Sequence, residues 1–202
     1  MSISLAILCS RRCPAPLVVA GLDTAIALKN APVTIVSGFQ SPLEQESLKF
    51  LLKGSVRLIV CPARSAVGMR IPAEYKKSIA EGRLTVRSFI DEHAPADSQP
   101  SFERPTFRSV GATARNPSPR TLPKRPTTDL AEQRNRFACS ISDAVLILHA
   151  SPGGKLERLA SELLAAGKRV WTLDDPANAP LMGAGARAIS PQTAASLWSQ
   201  LR

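Results

Sequence analysis

The chain has 202 residues, a hydrophobic fraction of 44% and a net charge of +10. This length suits one domain of ordinary size, and the positive charge indicates an anionic partner such as nucleic acid or an anionic membrane surface. No apolar run approaches the ~20 residues that a bilayer span needs. Of the two kinds of anionic partner we therefore expect nucleic acid and no membrane.

The four cysteines and two histidines lack the spacing of a disulfide framework or a zinc site. We therefore expect reduced thiols, a cytoplasmic location, no metal and no cofactor.

Strands and helices alternate over residues 1–92. Apolar and β-branched runs predict strands, and amphipathic runs bounded by proline or glycine predict helices. The clearest helix start is Ser41-Pro42-Leu43-Glu44, a capping box with proline at the first helical position. The predicted strands cover residues 4–9, 32–36, 56–60 and 84–90, and the predicted helices cover 17–28, 42–53 and 72–80.

Residues 93–128 differ in composition from the rest of the chain. They contain seven prolines and six basic residues, with little apolar periodicity. Such a stretch buries too little apolar surface to offset its chain entropy, so we expect a flexible linker or arm. Its charge suits either a solubilising tether or an arm that binds nucleic acid.

Residues 129–202 resume the alternation and form the second part of the same domain. Arg134-Asn135-Arg136 precedes a short predicted helical turn, and a buried strand then leads into the glycine loop Ser151-Pro152-Gly153-Gly154. Later elements are predicted at 154–166 (helix), 170–173 and 188–189 (strands), and 191–201 (helix). The whole pattern predicts an α/β fold: a Rossmann-like parallel sheet with helices on both faces, interrupted by a long Pro-rich basic segment.

In such sheets the ligand lies beyond the carboxyl ends of the strands. A glycine loop at a helix start offers free backbone N–H groups to an anion, and arginine matches phosphate oxygens. Serine and glycine at strand ends also serve as ordinary turn residues. The expected phosphate-binding residues, none of them catalytic, are Ser10, Arg11, Ser37, Gly38, Gln40, Ser41, Arg64, Arg134, Asn135, Gly153, Gly154 and Lys155.

The order of these motifs resembles the DprA/Smf family of DNA-processing proteins, within the SLOG group of Rossmann-like folds. The resemblance covers most of residues 1–90 and 129–190, and Arg134-Asn135-Arg136 is its most specific part. It implies a non-catalytic protein that binds single-stranded DNA in DNA processing and recombination. A homodimer and a recombinase partner are compatible with it. The loop after Ser37 and Gly38 departs from the family's usual Gly-Ile-Asp continuation.

Two alternatives share the same fold. Pro152-Gly153-Gly154 is similar to the loop of phosphoribohydrolases that cleave a nucleoside monophosphate, with Glu157 or Glu162 as the residue that would polarise water. The other alternative is a SLOG-type sensor that binds a nucleotide without catalysis. A fold by itself does not decide between these chemistries.

The two arginines of the Arg134-Asn135-Arg136 motif are expected to have different roles. On a helix, residues two apart diverge by ~200°. We expect Arg134 to meet the ligand, Asn135 to fix the loop through backbone hydrogen bonds, and Arg136 to pair with a carboxylate such as Asp143 or Glu132.

Overall fold

The computed structural model describes residues 3–92, 128–194 and 196. Its strands are β1 (Ser4–Cys9), β2 (Thr34–Ser37), β3 (Arg57–Val60), β4 (Leu84–Val86), β5 (Ala144–His149), β6 (Arg169–Leu173) and β7 (Arg187–Ile189). They form one seven-stranded sheet in the order β4-β3-β2-β1-β5-β6-β7, and every pairing is parallel. The Rossmann-like α/β fold expected from the sequence is confirmed.

The described helices are α1 (Ala15–Leu28), α2 (Pro42–Leu52), α3 (Ala73–Ala80), α4 (Phe89–Glu92), α5 (Thr128–Ser140), α6 (Lys155–Ala165), α7 (Ala179–Gly183) and α8 (Pro191–Ala194), with a 3₁₀ turn at Pro176–Asn178. Four of them, α1, α2, α3 and α6, match predicted helices to within two residues at each end, whereas α4 and α7 were not predicted. The capping box at α2 is confirmed, because Ser41 Oγ accepts from Glu44 N–H while the Glu44 carboxylate accepts from Ser41 N–H. Within the described residues, no helix combines the length and the apolar character that crossing a membrane requires.

Helices cover both faces of the sheet. Alternate side chains of β1 point to opposite faces, as the two-residue period of a strand requires. Leu5 and Ile7 join a core cluster with residues of α1 and α2. Ala6 and Leu8 join a second cluster with residues of α6 and α7. The central strand is therefore apolar from Leu5 to Cys9, because these residues are buried from two sides.

The strand order reverses between β1 and β5. Strands β1 to β4 extend to one side of this point and β5 to β7 to the other. The carboxyl ends of the two strands are joined: Ser10 N–H donates to His149 O at 2.9 Å, and Ser151 N–H donates to Ser10 Oγ at 3.0 Å. Open parallel sheets bind ligands at such a topological switch point.

Two predicted elements differ from the structure. The strand expected at 84–90 ends at Val86, and α4 begins at Phe89. Ser88 causes this change, because its Oγ accepts from Ile90 N–H and so starts a helical turn. The short turn expected after Arg136 is instead part of α5, which begins six residues before Arg134.

Other predicted features fall on residues outside the described ranges. The flexible arm at 93–128 lies there except for its last residue, Thr128, which begins α5. The closing helix expected at 191–201 is described only over Pro191–Ala194.

Candidate anion-binding site

A cavity of about 400 Å³ lies at the switch point, where the ends of β1, β2 and β3 meet α5 and the start of α6. It unites seven of the residues that the sequence predicts for the site: Ser10, Arg11, Gln40, Ser41, Arg134, Asn135 and Lys155. Cys9, Glu44, Ala63, Ala131 and Leu156 complete its lining. The expected convergence of strand ends therefore produces a real cavity.

Five of the predicted site residues, all within the described chain, do not line this cavity. Arg64 is exposed, and its carbonyl accepts from Ser88 Oγ. Ser37 is fully buried, and its Oγ accepts from Phe39 N–H at 3.1 Å, which is turn chemistry. The remaining three are Gly38, Gly153 and Gly154.

Arg134 is the central cation of the cavity. Only 4% of the residue is exposed, and its Nε and Nη1 atoms have no hydrogen-bond partner among the described residues. No described carboxylate lies within 4 Å of its guanidinium. Burial lowers the pKa of Arg134, but arginine keeps its proton at neutral pH. Buried polar groups are normally paired, so these donors point to a ligand.

Gly38 makes room for Arg134. A Cβ at Gly38 would lie 1.9 Å from Nη1 and 2.3 Å from Cζ of Arg134. The glycine is therefore required for close approach of the guanidinium to the backbone after β2. Its role is to seat the arginine rather than to line the cavity itself.

Glu44 ties the loops of the cavity together. It is 3% exposed, and its carboxylate accepts from Cys9 N–H at 2.7 Å, from Gln40 N–H at 2.8 Å and from Ser41 N–H at 3.3 Å. Burial raises the pKa of Glu44, while the nearby charge of Arg134 and these N–H groups act in the opposite direction. The loops after β1 and β2 are thus held in one arrangement beside Arg134.

The glycine loop before α6 is occupied by groups of the chain itself. Gly153 has a φ of 68°, in the left-handed region that favours glycine. Its N–H donates to Glu157 at 2.6 Å, and Gly154 N–H donates to Ser151 O at 3.0 Å. A carboxylate thus holds the positive end of the helix, where an anionic ligand would compete with it.

Lys155 also has partners within the chain. Its Nζ lies 3.3 Å from Asp129 and 3.1 Å from Glu132. These contacts raise the pKa of Lys155, since both carboxylates favour its charged form.

The two arginines of α5 have different surroundings. Arg136 is exposed and pairs with Glu162 at 2.5 Å and with Glu132 at 3.3 Å. Its expected partnership with Glu132 is confirmed. Asp143 is not a partner, because its carboxylate accepts from the N–H and the hydroxyl of Ser4, both at 2.7 Å.

Asn135 differs from its expected role. It lies within α5 rather than in a loop, and its Oδ1 is buried without a described hydrogen-bond partner. The side chain lines the cavity.

Glu44 is the residue of the site that the sequence interpretation missed. The capping box at α2 was visible as a local signal, but the contact with Cys9 joins residues 35 positions apart. Within the described residues, no group of three or more His, Cys, Asp or Glu side chains could hold a metal ion.

These features define a Rossmann-like protein with a cavity at the switch point and a buried arginine there that forms no ion pair within the described residues. No protein-family model matches the chain, and no curated protein sequence matches it.

Solved structures do match the fold. DNA processing protein A (DprA) from Streptococcus pneumoniae aligns with a TM-score of 0.63 and 14% identity, over 97% of this chain and 61% of that one. DprA from Helicobacter pylori, described for its single-stranded DNA binding mode, aligns with a TM-score of 0.63 and 17% identity, over 98% of this chain and 80% of that one. The chain therefore has a DprA-like fold with a strongly diverged sequence, and it spans about three fifths of the S. pneumoniae protein.

A third neighbour is the molybdenum cofactor carrier protein of Chlamydomonas reinhardtii. It aligns with a TM-score of 0.55 and 12% identity, over 100% of this chain and 98% of that one. It shares the Rossmann-like fold at a lower TM-score than the two DprA structures.

Proposed function

We propose that this protein binds single-stranded DNA through its phosphates, without catalysis, in a DNA-processing role. The observation that carries the proposal is the buried Arg134 guanidinium, two of whose donor atoms have no hydrogen-bond partner among the described residues. A phosphodiester oxygen would satisfy those donors with charge-assisted hydrogen bonds.

The charge of the chain supports a polymeric anion. Arg11 and Lys155 line the same cavity, and the whole chain carries +10. Each single-strand phosphate neutralised by a protein contributes a slope of ~−0.7 to log affinity against log salt. Binding through phosphates predicts little sequence preference. The DprA-like fold, with an H. pylori relative described for single-stranded DNA binding, agrees with this proposal.

The carboxylates weigh against the hydrolase alternative. Glu157 is held by Gly153 N–H, and Glu162 pairs with Arg136. Among the described residues, the cavity lining includes neither Glu157 nor Glu162. Glu44 does line it, but both of its oxygens accept backbone N–H groups. A general base needs an oxygen within reach of the proton it removes.

Arg134→Ala tests the proposal, with Arg136→Ala as the matched control. Both changes remove one positive charge from α5, but only Arg134 lines the cavity. Loss of a charge-assisted hydrogen bond of ~1.5–3 kcal/mol predicts ~10–100-fold weaker binding of oligothymidylate to Arg134→Ala. Arg136→Ala should bind within ~2-fold of wild type at 0.15 M salt, because exposed charges are screened. Equal losses in the two variants would contradict a specific role for Arg134.

A free nucleotide is the second candidate ligand. The cavity volume of about 400 Å³ lies within the ~300–1,000 Å³ typical of small-molecule sites. Competition distinguishes the two: a mononucleotide that displaces the oligonucleotide at micromolar concentration supports a nucleotide sensor. A mononucleotide that competes only at millimolar concentration supports a DNA-binding protein.

The DprA/Smf resemblance extends the proposal to a homodimer and a recombinase partner. Sedimentation of the protein alone tests the dimer. Co-sedimentation with a purified recombinase tests the second partner.

A further inference from the structure

Two of the four thiols of the chain lie together at the carboxyl end of β1. Cys9 is the last residue of β1 and is 7% exposed. Cys13 is half-buried and packs against the core cluster that contains Cys9. The thiol of Cys9 donates a hydrogen bond to the sulfur of Cys13. The two sulfur atoms are therefore direct neighbours in the folded protein.

The loop between these two cysteines belongs to the anion-binding cavity. Cys9, Ser10 and Arg11 all line that cavity. Ser10 also joins the ends of β1 and β5, because its N–H donates to His149 O. A covalent bond between Cys9 and Cys13 would close this short loop and would constrain the residues that line the cavity.

The surroundings of Cys13 favour its thiolate form. The hydrogen bond from Cys9 lowers the pKa of Cys13, whereas burial and the charge of Asp175 act in the opposite direction. Cys13 lies two residues before the start of α1, where the positive end of the helix dipole favours a negative charge. The exposed residues Arg11 and Arg12 precede it. Partly exposed cysteines in positive surroundings are the ones that react.

The other cysteines differ from Cys13 in their protonation. The hydrogen bond to Cys13 and burial raise the pKa of Cys9, so Cys9 keeps the proton of the pair. Cys61 and Cys139 are fully buried, and burial raises the pKa of each to about 12. Buried thiols of this kind are inert. Cys61 and Cys139 are therefore internal controls for the reactivity of Cys13.

We propose that Cys9 and Cys13 form a redox-active pair, which hydroperoxides oxidise to a reversible disulfide. In the first step the Cys13 thiolate attacks one peroxide oxygen, the O–O bond breaks, and the departing alkoxide or hydroxide takes up a proton. In the second step Cys9 loses its proton and its sulfur attacks the sulfenic acid of Cys13, so that the S–O bond breaks and water leaves. The pair loses two electrons, and the peroxide gains them.

This chemistry agrees with thiols that are reduced at rest. All four cysteines are free in the structure, and disulfides in reducing compartments are usually transient and redox-sensing. The inference does not depend on the identity of the anion that the cavity binds. It adds that oxidation acts on the loop that carries Ser10 and Arg11.

Peptide mapping of the wild-type protein tests the proposal. Trypsin cuts after Arg11 and Arg12, so Cys9 and Cys13 fall in separate peptides, 1–11 and 13–29. After treatment of the reduced protein with hydrogen peroxide, these two peptides should be joined, and dithiothreitol should separate them. The protein should remain a monomer on a non-reducing gel. Unlinked peptides, or a disulfide that involves Cys61, Cys139 or a second copy, would overturn the proposal.

Two variants test the assigned roles. Cys9→Ser should stop at the sulfenic acid, which dimedone traps on Cys13, whereas Cys13→Ser should form neither an adduct nor a disulfide. Iodoacetamide should label Cys13 of the native wild type at least ~10-fold faster than Cys61 or Cys139, and this measurement needs no variant to fold. Labelling of Cys13 no faster than that of Cys61 would contradict its role as the nucleophile, as would a dimedone adduct on Cys9 in Cys13→Ser.

Discussion

Gly38→Ala should be destabilising only while Arg134 is present. The three atoms nearest to an added Cβ all belong to Arg134, at 1.9, 2.3 and 2.4 Å. These contacts are far shorter than van der Waals distance, so the arginine must leave its position. Overpacking of this kind typically costs ~1–3 kcal/mol in the free energy of unfolding. Gly38 has an ordinary φ, so alanine adds no backbone strain.

The Arg134→Ala background removes the clash. There, Gly38→Ala should be neutral or stabilising by ~0.4–1 kcal/mol, because alanine reduces the entropy of the unfolded chain. Equilibrium urea unfolding of wild type, both single variants and the double variant gives the coupling energy, expected at ~1–4 kcal/mol from these two effects. An equal cost of Gly38→Ala in both backgrounds would show that Arg134 does not occupy this position.

Three further predictions follow from the described contacts and the sequence. Glu157→Ala should bind oligothymidylate ~2–5-fold more tightly at low salt, because it frees Gly153 N–H and the positive end of the α6 dipole for phosphate. Weaker binding would contradict the inference that Glu157 competes with phosphate for this N–H group. Hydrogen bonds from Ser4 lower the pKa of Asp143 below its ordinary 3.8, so its contribution to stability is present above pH 4 and is lost as pH falls through the lowered pKa. Asp143→Asn should remove that part of the acid dependence of unfolding, and an unchanged pH profile would contradict it. Deletion of 93–127 should leave the melting temperature nearly unchanged and weaken DNA binding, most at low salt; a large fall in melting temperature would show that the segment stabilises the fold.

Local patterns predicted most of the sheet and its helices. The runs that form β1, β2, β3 and β5 are mostly β-branched or aliphatic and are bounded by turn residues. Their composition and length were therefore sufficient to predict strands. The capping box at α2 was predicted because both of its hydrogen bonds join residues three apart. The strand expected at 84–90 was predicted too long. The helical turn that follows Val86 depends on one hydrogen bond, from Ile90 N–H to Ser88 Oγ.

Helix α5 was predicted too short because a charged residue occupies its inward face. Arg134, Phe137 and Ala138 follow the helical spacing i, i+3 and i+4, and Ile141 at i+7 comes directly after the end of the helix. Three of them are apolar, whereas Arg134 appears polar in any hydrophobic pattern although it is buried. A charged residue at a core position conceals the helix that carries it.

The position of Glu44 depends on long-range packing. Its capping role follows from α2 alone, but its hydrogen bond to Cys9 requires β1 and β2 to be adjacent in the sheet. The same holds for Gly38, whose role is set by a side chain from α5. Such contacts between distant segments follow from the tertiary structure and leave no local signal.

The most direct test of the account is the NMR signal of the Arg134 side chain. Its Nε–H resonance, assigned by its loss in Arg134→Ala, should shift strongly when a short oligothymidylate is added, because the buried Nε gains a charge-assisted hydrogen bond. The Nε–H resonance of Arg136 should stay in place, since that side chain is already paired with Glu162 and Glu132. If oligothymidylate binds and the Arg134 resonance does not move, the central claim is wrong.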